Sequence, residues 1–124
     1  TRHTASGYSW KVDIDNGNPT SSSPIEWEVA KVIVNANAQV TASIWVYRDG
    51  TGVNGGLRVK ANAIEGVTSK IDAVISDTTV NSWVQCSLNF TPTSSGTVTI
   101  YAMGYYINNA SHNVWLDDFS VTQA

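Results

Sequence analysis

The side chains best suited to chemistry are aromatic ones placed out of step with their apolar neighbours. From Gln39 to Arg48, Val40, Ala42, Ile44 and Val46 alternate with Thr41, Ser43, Trp45 and Tyr47; later, Val98, Ile100 and Ala102 alternate with Thr99, Tyr101 and Met103, with Tyr105 continuing that phase. Successive side chains of a strand point to opposite faces. If the aliphatic phase fills a core, Trp45, Tyr47, Tyr101 and Tyr105 face outward, beside the polar phase Arg58, Lys60 and Asn62. Large apolar groups held outward usually mark a contact surface. The contact this set supports is with a sugar: the apolar C–H face of a pyranose stacks on Trp or Tyr, while Asn, Arg and Lys donate to its hydroxyl rim. The same residues also suit burial under a long loop, or packing against a protein subunit, where Tyr and Trp are enriched. Trp10 and Trp83 read as core, and Trp27 and Trp115 as either.

Other reactive types lack supporting patterns. Glu26 and Glu28 share one face of a strand, but two carboxylates on a surface strand do not define the cleft-spanning pair that glycoside hydrolysis needs. His3 and His112 have no partners at metal-ligand spacing. The run Asp13-Ile14-Asp15-Asn16-Gly17-Asn18 has its glycine one place early for an EF-hand and no Glu at the twelfth position, so it reads as an Asx-rich turn. Asn109-Ala110-Ser111 matches a glycosylation triplet in a loop; Asn89-Phe90-Thr91 does so within a strand. No phosphate loop, nucleophile elbow or redox motif is present, and the expectation is a protein that is not an enzyme.

The elements that must position these residues are strands. Segments of alternating hydrophobicity run Tyr8 to Ile14, Ile25 to Val34, Gln39 to Arg48, Leu57 to Ala63, Ser69 to Ile75, Trp83 to Thr91, Val98 to Tyr105 and Asn113 to Thr122, separated by Gly, Asn, Asp, Ser and Pro clusters. Arg48 to Gly56, with four glycines, reads as a long turn. The expected core is Val40, Ala42, Ile44, Val46, Leu57, Val59, Val84, Cys86, Leu88, Phe90, Val98 and Ile100. In the last strand, Val114 and Leu116 are out of phase with Phe119 and Val121, which requires a one-residue bulge at Asp117-Asp118.

Composition agrees. Val and Ile number 24 and Leu only 3, a β-branched bias that favours sheet. Ser, Thr and Asn number 38 against 14% charged residues, a hydroxyl- and amide-rich surface common in secreted and virion proteins. With seven Lys+Arg and a net charge of -3, the chain lacks the basic face that nucleic-acid binding needs. No apolar run approaches the ~18 residues of a membrane helix, so no membrane insertion is expected. One cysteine excludes an internal disulfide. The 124 residues suffice for one domain. The chain starts at Thr1, which reads as a processed product or part of a longer chain or assembly.

Four segments, taken in order, resemble the galactose-binding-like β-jelly rolls, including family 4, 9 and 22 type carbohydrate-binding modules and similar domains of phage virion proteins. They are Ala5-Ser6-Gly7-Tyr8-Ser9-Trp10-Lys11-Val12, Val40-Thr41-Ala42-Ser43-Ile44-Trp45-Val46, Trp83 to Pro92, and Val114-Trp115-Leu116-Asp117-Asp118-Phe119-Ser120-Val121. The resemblance implies an all-β, antiparallel two-sheet β-sandwich (jelly roll) of about eight strands; the sequence departs from the family's pattern in not showing the motif of its additional N-terminal strand. It also implies a non-catalytic module that takes a glycan on an outward aromatic face. Trp45, Tyr47, Arg58, Lys60, Asn62, Tyr101 and Tyr105 are the expected contacts. The alternative is a structural, decoration or adhesion module of an extracellular or phage virion assembly, joined to protein subunits through an open sheet edge. Either role is extracellular, secreted or virion-surface. Related modules hold a structural Ca2+ with an aspartate of the closing strand and N-terminal carbonyls, which makes Asp117 and Asp118 the expected ligands.

Overall fold

The computed structural model describes residues 10–12, 19–21, 23–108 and 112–124, with the backbone alone at Trp10. Every regular element among them is a strand: β1 (Trp10–Val12), β2 (Ile25–Val34), β3 (Val40–Arg48), β4 (Val53–Val59), β5 (Ile71–Val74), β6 (Trp83–Phe90), β7 (Gly96–Tyr106) and β8 (Val114–Gln123). They form two four-stranded antiparallel sheets, ordered β1-β8-β3-β6 (sheet A) and β2-β7-β4-β5 (sheet B). This is the expected β-sandwich. Chain neighbours seldom pair, because most connections cross from one sheet to the other.

The β-branched phases meet between the layers. Val40, Ala42, Ile44 and Val46 of β3 and Cys86, Leu88 and Phe90 of β6 face Leu57 and Val59 of β4 and Val98 and Ile100 of β7, all buried; Val84 is half-buried against them. Cys86 is a free thiol, and burial pushes its pKa up to about 11, so it behaves as a small hydrophobe.

The expected turn at Asn54-Gly55-Gly56 is strand instead. Here glycine serves close packing. A Cβ on Gly55 would lie 2.9 Å from the Met103 carbonyl oxygen, and one on Gly56 would lie 1.7 Å from that of Ala73, so β4 passes its neighbours only without side chains there. Conversely, the strand expected through Ala63 stops at Val59. Asn62 adopts φ 61° in a turn, and Ala61 is exposed where alternation placed it inside.

The bulge in β8 lies where the phase break requires it. Ser43 is opposite Ser120 and Trp45 opposite Asp117, so Ile44 faces both Asp118 and Phe119. Asp118 absorbs the extra residue at φ 52°, and its N–H donates to Asp117 Oδ1 at 2.8 Å. Phe119 and Val121 are thereby returned to the core. Of the first expected strand, residues 10–12 form β1; Tyr8, Ser9, Asp13 and Ile14 lie outside the described residues, as do His3, the Asx-rich run 13–18 and the triplet at 109–111.

Arg48 ends β3 in the inward phase, 3% exposed. A buried guanidinium needs acceptors, and three carbonyls supply them: Nε donates to Thr79 O at 3.0 Å, Nη1 to Val53 O at 3.1 Å, and Nη2 to Asp77 O. The Arg48 carbonyl in turn accepts from Asn81 N–H at 2.8 Å. This pins the segment that delivers Trp83.

Candidate functional site

The two sheets divide the expected contact set. Trp45 and Tyr47 lie on β3, in sheet A. Arg58, Tyr101 and Tyr105 lie on β4 and β7, in sheet B, with Lys60 and Asn62 in the turn after β4. Both groups are in the outward phase, but their faces are on opposite sides of the sandwich, so they cannot touch one ligand together. Alternation distinguishes inside from outside; it does not say which outside.

On sheet A the pairing register assembles an aromatic row. Trp83 of β6 is opposite Tyr47 of β3, which is opposite Trp115 of β8, which is opposite Lys11 of β1. Paired residues share a face. The Tyr47 ring is 5.5 Å from Trp83 (tilted 57°) and 5.6 Å from Trp115 (edge-to-face, 78°). All three are half-buried, as is Trp45, one step along β3 between Gln85 and Asp117. Trp83, expected in the core, is thus on the outer surface. Its phase opposite Val84, Cys86 and Leu88 was the signal for this. Trp115 is likewise outward, whereas Trp27 packs on the core. Around Trp45 the face is uncharged or hydrogen-bonded: Ser43 and Ser120 hydroxyls are 3.0 Å apart, and Gln85 Nε2 donates to Ser43 Oγ at 3.4 Å.

Two loops anchor the open end of this row. The Asp49 carboxylate accepts from Asn113 N at 2.6 Å and Asn113 Nδ2 at 3.1 Å, just before Trp115. His112 Nδ1 accepts from Gly52 N at 3.2 Å. Its ring lies so close that a Cβ on Gly50 would come 2.2 Å from Nδ1. Gly50 therefore has a steric role.

The outer face of sheet B is an ionic lattice. Arg58, 5% exposed, donates to both Asp72 oxygens at 2.7 and 3.0 Å and to Ser21 O at 2.7 Å. Asp72 also takes Lys70 at 3.1 Å. Glu26 Oε1 pairs with Lys60 Nζ at 2.8 Å; its Oε2, 3.8 Å from Arg58 Nη1, is buried without a hydrogen bond. Lys60 Nζ also lies 4.3 Å from the Tyr101 ring centre. The Asp72 hydrogen bond raises the Arg58 pKa, and the Glu26 bond raises that of Lys60. Burial disfavours the Asp72 carboxylate, but hydrogen bonds from Arg58 and Lys70 outweigh it and hold its pKa below the ordinary value. Burial raises the pKa of the Tyr105 phenol, and the nearby Asp72 charge adds to this. Glu28 pairs with Lys31 at 3.6 Å. Both glutamates considered for acid–base chemistry are thus engaged by lysines, and Arg58, Lys60 and Tyr101 mostly bind the protein itself. Asn62 is exposed in its turn.

Asp117 and Asp118 do not by themselves make a calcium site. Asp117 is 8% exposed and accepts the Asp118 N–H. Among the described residues no three acidic, His or Cys side chains gather to hold a metal. Ca2+ takes six to eight oxygens; the N-terminal carbonyls implied as further donors lie outside the described residues.

No protein-family model matches the sequence. No curated protein is significantly similar to it. Two solved structures are similar in architecture. One is the CBM22-1–GH10 module pair of endo-1,4-β-D-xylanase 10B from Clostridium thermocellum, complexed with xylohexaose (16% identity over 94% of this chain and 24% of that one, TM-score 0.49). The other is the CBM22-2 xylan-binding domain of Xyn10C from Paenibacillus barcinonensis (13% identity over 93% of this chain and 99% of that one, TM-score 0.46). The chain thus spans about a quarter of the first and almost all of the second.

Proposed function

We propose that this domain is a non-catalytic carbohydrate-binding module whose platform is the outer face of sheet A. The observation that carries the reading is the in-register row Trp83–Tyr47–Trp115, three rings from three adjacent strands on a face where solvent alone would favour Thr, Ser and Lys. Strand spacing makes a row over three strands ~10 Å long, room for stacking along a saccharide chain rather than on one ring. Trp45 and Gln85 extend the platform along the strands, and the Ser43 and Ser120 hydroxyls offer polar contacts at its margin. The Asp49–Asn113 and Arg48 hydrogen bonds hold the flanking strands, so that the rings are fixed before a ligand arrives, which limits the ordering cost of binding. The hydroxyl- and amide-rich surface suits an extracellular or virion setting.

The test is affinity electrophoresis or calorimetry against a panel of soluble polysaccharides. A ligand-positive protein should lose affinity about 30-fold in Tyr47→Ala or Trp115→Ala, the ~2 kcal/mol scale of a hot-spot truncation, with the thermal midpoint recorded to exclude unfolding. Undiminished binding in both variants would refute this platform.

A second reading is attachment to a protein subunit. It is favoured by β2, a ten-residue strand at one end of sheet B that carries Ile33 with 83% exposure. Light scattering separates the two: a concentration-independent monomer removes self-assembly.

A further inference from the structure

The aromatic row does not end in an aromatic. Its fourth member is Lys11, opposite Trp115 on the edge strand β1. Lys11 is exposed, and the next residue, Val12, is buried at 3%, so the lysine points to the outer side with the rings.

The other cations differ. Lys31 pairs with Glu28, Lys60 with Glu26, Lys70 and Arg58 with Asp72, and Arg48 is consumed by three carbonyls. Among the described residues, Lys11 is the one Lys or Arg whose charge is answered by neither a carboxylate nor a set of carbonyls. Directly opposed residues on one face have Cβ atoms about 5 Å apart. A chain stacked along Trp83, Tyr47 and Trp115 therefore runs toward the Lys11 ammonium. Asp117, an acid on this face, lies beside Trp45, is 8% exposed and already accepts the Asp118 N–H.

We propose that the ligand of this face is an acidic glycan, with a carboxylate or sulfate of one residue paired to Lys11 while its neighbours stack on the three rings. The proposal rests on the platform reading above and adds the charge of the ligand to it. The rings take any sugar face, and Lys11 selects among sugars.

The experiment is a polysaccharide array carrying neutral chains beside uronate-bearing and sulfated chains of the same backbone, probed with the wild type, Lys11→Gln and Trp115→Ala. The wild type should prefer the acidic members. Lys11→Gln should lose three- to five-fold on them and nothing on neutral ones, the scale of an exposed ion pair. The wild-type preference should fall to the same degree in 0.5 M salt. A uronate-only or sulfate-only response identifies which anion is read. If Lys11→Gln is without effect while Trp115→Ala abolishes binding, the acidic selection is overturned and the platform stands; in that case Lys11 is an edge guard, seen as increased self-association of the variant. Binding indifferent to both substitutions overturns platform and selection together.

Discussion

The two outer faces of the sandwich use the same exposed phase for opposite ends. On sheet A, Trp83, Tyr47 and Trp115 lean on one another and few charges are near. On sheet B, Arg58, Asp72, Glu26, Lys60 and Lys70 neutralise one another over a buried Met103, beneath the segment at residues 19–21. The first face presents half-buried rings beside a short hydroxyl and amide network. The second is closed on itself, because a guanidinium with 5% exposure and two carboxylates cannot leave water without partners. Outwardness alone is therefore a poor sign of function. What matters is whether a side chain's bonding capacity is already used within the fold.

The largest expected effect that tests this division is on stability. Arg58→Met leaves Asp72 and Glu26 without their shared cation. It should cost about 2–3 kcal/mol in urea denaturation, below the range for a fully buried pair because Asp72 keeps a quarter of its side chain in solvent. Glycan affinity per folded molecule should not change. A parallel loss of affinity would end the division of labour.

Next comes the acid limb. Asp72 has a folded pKa below its ordinary 3.8. Its contribution is thus complete above that value and lost as pH falls from there through the folded pKa. Asp72→Asn should lower stability at pH 7 by about 1 kcal/mol and flatten the wild type's decline below pH 4, followed by thermal melts. An unchanged acid slope would place the acid sensitivity at carboxylates other than Asp72.

The smallest effect sharpens the other side. Asp118 holds φ 52° in the β8 bulge. Asp118→Gly should relieve a left-handed conformation and stabilise by about 0.5 kcal/mol, a rise of roughly 2 °C in melting temperature. Ligand binding should stay intact, since Asp118 lies outside the Trp83–Tyr47–Trp115 row. A destabilised variant would mean that the Asp118 side chain has a task of its own.

Much of this was legible in the chain. Val40 to Val46, Val84 to Phe90 and Val98 to Ala102 announced buried faces by their alternation. The phase break between Leu116 and Phe119 located the bulge at Asp117-Asp118. The division of the aromatic set was not legible, because pairing between strands distant in sequence decides which sheet receives Trp45 and which receives Tyr101. Gly55 and Gly56 misled for a physical reason: glycine permits a turn and permits close approach, and only the neighbours of β4 distinguish the two. The reading of Trp83 as core goes against its own phase, which is opposite to that of Val84, Cys86 and Leu88.

Cys86 lends the molecule one more property. With no disulfide stitching the layers, packing and the Arg48 hydrogen bonds hold them together, and the sole thiol of the chain sits within that packing, protonated and sealed. Any event that parts the layers uncovers a nucleophile, so the interior carries its own recorder of breathing: the pace at which an added electrophile marks this sulfur is the pace at which the sandwich comes ajar.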